Sequence, residues 1–305
     1  MAGANLPAKK YSKTSPTTLR LSFVGTGGTT RYIDIARALS TINRKFYRQG
    51  VYYYVNSVEL YNNEDAFVDV HTLPDTWVTK NAWNRGFGIF QKMNSLVDTP
   101  RPKYHDFKIR MSPGHTESAT MDPELFDINS AHSSKSPNEW AFSEITTHHS
   151  DGGAADEFTL TMIGDDVGAQ GNRDSVSLVK SYALSRSYAP LTGEPQLRTG
   201  HEDDALGQLF DASGDNAQEN IAVNLDTLND ETPYSTFYHG ENAAGAMQHV
   251  ARLATGTQTG RVAKASGFCA PFGLICVDPQ DAATSWRIVL NLAAGTYHGV
   301  YAERA

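Results

Sequence analysis

Several short constellations in this chain carry residue types that belong to particular chemistries, and each lacks a partner that the chemistry needs. Phe23-Val24-Gly25-Thr26-Gly27-Gly28-Thr29-Thr30 reads as a strand, a glycine turn and the approach to a helix. A dinucleotide site requires that context, because glycines let the backbone approach a pyrophosphate that the helix N-terminus then holds. Here Thr30 occupies the third glycine position and no Asp or Glu sits near position 50 to bind a ribose. No Gly-Lys-Ser/Thr follows to make a phosphate loop. The expectation is a hairpin or a strand-to-helix turn.

Met162-Ile163-Gly164-Asp165-Asp166 has the form of the metal-holding hairpin of RNA-dependent polymerases, where two carboxylates carry the catalytic ions. No second aspartate motif lies upstream in a matching strand, and Gly and Asp are favoured in turns for conformational reasons alone, so a turn is expected. His148-His149-Ser150-Asp151 offers imidazole and carboxylate, but adjacent histidines on an extended chain point to opposite faces and chelate poorly together. Asp211, Ser213 and Asp215 begin like a calcium loop that then lacks the glycine at its sixth position and the glutamate at its twelfth. Loose Ca2+ binding between subunits is the one cofactor expectation; otherwise no cofactor and no metal site is expected. No Gly-x-Ser-x-Gly elbow occurs, and no carboxylate pair carries the mark of a glycosidase. No catalytic residue is assigned, and the chain reads as a non-enzyme.

The strongest binding signal is electrostatic. Residues 1–110 carry 16 Lys/Arg against 8 Asp/Glu, and the remaining residues carry 10 against 26, for a net charge of −8. Lys9, Lys10, Lys13, Arg20, Arg31, Arg37, Arg44, Lys45 and Arg48 are opposed within the first fifty residues by Asp34 alone. Tyr32, Phe46, Tyr47, Tyr52, Tyr53 and Tyr54 interleave with these cations. Cations fix phosphates and rings stack on bases, a combination suited to single-stranded nucleic acid without sequence preference, so these nine cations are the candidate nucleic-acid contacts. Between Arg198 and Arg252 there is no Lys or Arg, while ten carboxylates intervene. A basic end and an acidic end can face two environments.

The elements that must position these residues are mostly strands. Residues 1–16 show no period and read as a flexible basic arm, followed by one domain over 17–305. Leu19, Leu21 and Phe23 alternate with polar neighbours, as on a half-buried strand. Ile35, Leu39, Ile42 and Phe46 follow helical spacing, with Asp34 placed to cap them. Val51–Tyr61 and Ala66–Leu73 are strands, and a helix runs from Asp75 through Trp83 towards Val97. Short strands follow after Pro100, at 106–111, 140–147, 157–163, 175–187, 221–228, 261–266, 273–277 and 286–293, with a last one over 297–302. This order is not the alternation of a parallel α/β fold; it predicts an all-β fold, a single jelly-roll β-sandwich with one or two inserted helices. No apolar run approaches the roughly 20 residues that span a bilayer, so no membrane partner is expected. Cys269 and Cys276 are too few for a disulfide framework, and their apolar flanks suit buried thiols in a reducing interior.

The basic arm, Thr30-Arg31-Tyr32-Ile33-Asp34-Ile35-Ala36-Arg37, the Tyr-rich strand 51–61, Thr76–Trp83 and the closing strand Trp286 to Gly299 together resemble capsid proteins of small circular Rep-encoding single-stranded DNA viruses of the marine and metagenomic kind. That resemblance implies a coat protein that self-assembles, in about sixty copies, into a small icosahedral shell around a single-stranded genome, located in the virion after assembly inside the host cell. A departure is the arm, which has few of the arginines that many such proteins carry. The alternative reading is a β-sandwich binding module that recognises a glycan or a partner protein.

Overall fold

A computed structural model describes residues 17–95, 104–124, 140–147, 156–169, 172–185, 238–241, 247–256, 260–280 and 285–305. The chain divides into two units, residues 1–182 with 239–305, and residues 183–238. Of the second unit only 183–185 and Tyr238 are described, and the arm 1–16, the histidines at 148 and 149, and the acidic segment around Asp211 lie outside the described residues.

The first sheet is β1 (Arg20–Thr26), β12 (Ser285–Leu292), β3 (Val51–Tyr61) and β10 (Val262–Ala270) in that order, with β13 (Ala302–Arg304) also on β3. The second is β2 (Arg31–Asp34), β11 (Leu274–Gln280), β4 (Ala66–Thr72) and β9 (Gln248–Thr255). All these pairings are antiparallel and nested: β1 lies beside β12, β2 beside β11, β3 beside β10 and β4 beside β9. Alternate residues of both sheets point into one core, with Leu21, Phe23, Val58, Leu60, Ile288 and Leu290 from the first and Ile33, Val68, Val70, Ile275 and Val277 from the second. Each such side chain contributes about 1.5–3 kcal/mol by leaving water. The core is what fixes the register of both sheets.

The expected single jelly roll with one or two inserted helices is corrected by the stretch after Glu144. A third sheet, β5 (Glu144–Thr147), β6 (Asp156–Thr161), β8 (Asn172–Ser177) and β7 (Val167–Ala169), stands apart from the other two. It is mixed, because β6 and β8 pair in parallel. The helices number three among the described residues: α1 (Ile35–Asn43), α2 (Trp77–Ser95) and α3 (Leu178–Leu184). The strand expected over 175–187 ends at Ser177, where the serine Oγ accepts from the Lys180 amide and Asp166 accepts from the Ser177 amide. A side-chain cap therefore starts a helix inside a run whose composition favours a strand. The segment expected as a strand at 106–111 contributes an isolated bridge, Arg110 to Thr161.

The glycine turn that imitates a nucleotide site is explained by packing. A Cβ on Gly25 would stand 2.1 Å from the Trp286 ring, and Trp286 Nε1 donates to the carbonyl of Gly27 at 3.1 Å. Gly27 has a φ of +69°, so it makes the turn into β2, a strand of the other sheet. Gly164 has a φ of +100°, and Asp166 beyond it is held by Arg173 at 3.1 Å and Lys180 at 3.6 Å. Both motifs are turns.

Candidate nucleic-acid interface

The basic segment is organised by one buried carboxylate. Asp34 closes β2 and caps α1, accepting from the Arg37 amide at 3.1 Å. Its other oxygen accepts from Gln49 Nε2 at 3.2 Å and from Trp140 Nε1 at 3.1 Å. Burial pushes this carboxyl up to about 6, against the pull of the Arg37 amide, the Arg37 charge and the Trp140 bond. Gln49 also donates to the Ile109 carbonyl at 2.9 Å and accepts from the Ile109 amide at 2.7 Å. The end of the loop that follows α1 is thereby clamped to the segment 104–111.

The loop is anchored from within and charged outside. Tyr47 is fully buried, donates its amide to Ser40 Oγ at 2.9 Å and its hydroxyl to the His298 carbonyl at 3.1 Å. Tyr53 donates to the Arg48 carbonyl at 2.6 Å. Between these anchors Arg44 and Arg48 are exposed and Lys45 is half-buried. Arg44 ends α1 in the left-handed region, with φ 51° and ψ 38°. For a side chain other than glycine that conformation costs of order 1 kcal/mol, so an arginine is held where glycine would be cheaper. Asp106 lies 3.6 Å from Arg48 and offsets part of the charge.

Aromatic rings stand among these cations. Phe46 meets Tyr104 edge-on at 5.9 Å and Trp140 at 6.2 Å. The ammonium of Lys108 lies 4.7 Å from the centre of the Trp140 ring and 5.8 Å from that of Phe46, and donates to the Tyr104 carbonyl at 3.4 Å. Tyr104 itself is half exposed. Phe46 thus joins the loop of Arg44, Lys45 and Arg48 to the exposed ring of Tyr104, while Lys108 itself is buried.

The other cations of the segment are placed elsewhere. Arg20 starts β1 on the outer face of the first sheet, 3.8 Å from Glu59, which also meets Lys264 at 3.2 Å. Arg31 starts β2 and donates to the Ser118 carbonyl at 2.8 Å. Arg37 is buried, 2.7 Å from Glu117 and 2.9 Å from Asp122, so its charge is used inside the fold. Lys9, Lys10 and Lys13 lie outside the described residues. Sequence reading missed Tyr104, which is distant along the chain; the alternation around Phe107 and Ile109 was visible, but not the loop it would face. It also paired Tyr52, Tyr53 and Tyr54 with the cations. Tyr52 and Tyr53 are buried, and Tyr54 donates to Glu303 at 2.9 Å.

No group of three or more His, Cys, Asp or Glu side chains is placed to hold a metal ion among the described residues. Asp211 and its neighbours, the expected Ca2+ ligands, lie outside them. Burial pushes both thiols up, Cys269 to about 11 and Cys276 to about 12, so they stay protonated at neutral pH.

No family model matches the chain, and no curated protein or solved structure matches it. The resemblance to capsid proteins of small circular single-stranded DNA viruses is corrected by these findings. The icosahedral coat-protein role that it implied falls with it, because the three-sheet architecture is not the single jelly roll which that role was drawn from.

Proposed function

We propose that the chain acts by binding and not by covalent chemistry, and that its ligand is single-stranded nucleic acid held at the loop 44–49. One observation carries the reading: Phe46, in the loop that carries Arg44, Lys45 and Arg48, meets the half-exposed ring of Tyr104. Phosphates meet the cations, and unpaired bases stack on the rings, which a closed duplex cannot offer. The strained conformation of Arg44 supports the same reading, since it keeps a cation on the outside of the turn at a cost in stability. The protonated thiols support the non-catalytic half of the proposal.

Fluorescence anisotropy with a labelled 20-nucleotide thymidine strand tests it. Binding is expected to weaken with salt, with a log–log slope near −0.7 per phosphate neutralised, and to exceed binding of a duplex of equal length. Arg44→Ala with Lys45→Ala and Arg48→Ala should lower affinity more than tenfold and flatten that slope by about 2. Tyr104→Ala should cost about 1–3 kcal/mol of binding. Arg44→Gly separates the two roles, because it should stabilise the fold by about 1 kcal/mol while weakening binding. Equal affinity of the wild type and the triple variant at low salt would overturn the proposal.

A further inference from the structure

The outer face of the second sheet carries a polar row that the nucleic-acid surface does not use. Across the strands, Cys276 of β11 stands opposite His71 of β4, which stands opposite His249 of β9. In the neighbouring row Asp278 stands opposite Asp69, and Asp69 opposite Arg252. The two imidazoles meet edge to face with ring centres 5.2 Å apart. Asp69 accepts both Arg252 Nε and one terminal Arg252 nitrogen at 2.7 Å, and His249 Nε2 lies 3.3 Å from the same carboxylate. The other carboxylate, Asp278, takes a hydroxyl from Thr30 at 2.7 Å and an amide from Gln280 at 2.8 Å. His71 Nδ1 is buried and has no hydrogen-bond partner.

The strand that carries His249 is held unevenly. β9 stands at the end of its sheet among the described residues, and its register shifts at Val70/His71. Leu253 and Thr255 are buried, but Gln248, His249 and Arg252 are exposed and Val250 and Ala251 are half-buried. The first half of the strand therefore rests on ladder hydrogen bonds and the Asp69 contacts, and strands with little buried surface open first.

We propose that His71 and His249 form an acid-sensitive latch on this edge: protonation of His71 releases residues 248–252 of β9 from β4. Two charged rings cannot share this spacing without repulsion, and the Nδ1 of a protonated His71 would be a buried donor without an acceptor. When the strand lifts, water solvates that proton. The facing carboxylates relieve the closed state only in part: Asp69 and Asp278 each favour a proton on His71, but less than burial and the charge of His249 oppose it. From β4 and β9, Asp69 is already engaged by Arg252 and His249; from β11, Asp278 is engaged by Thr30 and Gln280, and the Cys276 thiol is neutral. Burial holds His71 below its ordinary value and the charge of His249 lowers it further. A depressed group contributes stability above its free value, near 6.5, that is lost as pH falls through the folded value, so acid favours the open strand. This latch is independent of the nucleic-acid reading.

Hydrogen exchange of wild-type protein, corrected for its intrinsic pH dependence, should show the opening of residues 248–252 rising between pH 7 and pH 5.5, with a ceiling of about eightfold, and β3 and β12 unchanged. His71→Gln should abolish that rise. His249→Gln, at an exposed position, should reduce it by removing the opposing charge. An independent readout is the wild-type His71 imidazole resonance, which should titrate below the free-imidazole value. Any of three results would sink the latch: an unchanged rise in His71→Gln or in His249→Gln, no rise in wild type, or a His71 resonance that titrates at the free value.

Discussion

Two buried titratable groups, Asp34 and His115, solve the same problem with opposite signs. Asp34 closes β2 and collects three donors, from the Arg37 amide, Gln49 and Trp140. His115 is fully buried beside the same strand, its ring stacked on that of Tyr32 at 4.6 Å. Its Nδ1 accepts from the Met111 amide at 3.0 Å, so the proton sits on Nε2 and is donated to Thr120 Oγ1, also at 3.0 Å. Burial pushes Asp34 up to about 6 and His115 down to about 3, the latter helped by the charges of Arg110 and Arg37. The lesson is that burial favours the neutral form of each, while the partners differ in which form they serve. Donors around Asp34 serve the charged carboxylate. The Met111 amide on His115 serves the neutral ring, because it needs a free lone pair. Asp34 is therefore a compromise at neutral pH, and His115 is not.

Asp34→Ala should produce the largest effect. It removes the α1 cap and leaves Gln49 Nε2 and Trp140 Nε1 short of an acceptor, for a loss of about 3 kcal/mol in urea unfolding. Because Gln49 clamps the loop to Ile109, the same variant should weaken nucleic-acid binding without touching a cation. A small loss, under about 0.5 kcal/mol, would show that the carboxylate is not the organising group.

The pH dependence sharpens the contrast. Asp34, raised when folded, contributes stability that is fully present below about 3.8 and lost as pH rises through about 6. His115, depressed when folded, contributes stability present above 6.5 and lost as pH falls towards about 3. The destabilisation caused by Asp34→Asn should therefore be greater at pH 4 than at pH 7, by about 2–3 kcal/mol. That caused by His115→Gln should run the other way over the same interval, greater at pH 7. Unfolding midpoints measured at half-unit steps decide the matter: parallel curves for the two variants would remove the distinction.

Much of this was legible one element at a time. Asp34 as a cap, the start of the helix behind it, and the strands at 51–61 and 66–73 follow from local spacing and cap chemistry, and the structure places them there, with the helix ending at Asn43, short of Phe46, and the second strand at Thr72. The same local signals hid what depended on distant partners. Ser177 reads as a strand residue until Asp166 accepts from its amide, and Gly25 reads as part of a phosphate turn until Trp286 fills the space above it. Arg37 looked like a ligand contact because its acidic partners, Glu117 and Asp122, lie some eighty residues on. The three-sheet architecture was invisible for a related reason: β6 and β8 pair in parallel across an intervening strand, and no periodicity reports which strands pair. In the candidate site, the exposed cations of the loop were readable and their companion Tyr104 was not.

The smallest effect discriminates most finely, because it asks which protonation state each hydrogen bond serves. Thr120→Val takes the acceptor from His115 Nε2 and should cost about 1 kcal/mol. The folded imidazole stays neutral from pH 7 to pH 4, and Nε2 carries its proton throughout, so that cost should be the same at both ends of the range. Trp140→Phe takes one donor from Asp34 and should cost a similar amount at pH 7. That bond is made to a carboxylate which is charged at pH 7 and protonated at pH 4, and a donor is worth more to the charged form. Its cost should therefore shrink as pH falls, and the carboxyl should titrate higher in the variant than in wild type. Denaturation of both variants at pH 4 and pH 7 gives four numbers, of which three should agree within error and Trp140→Phe at pH 4 should fall below them. If instead Thr120→Val varied with pH and Trp140→Phe did not, the donors around Asp34 would be serving its neutral form, and the opposition between the two groups would be reversed.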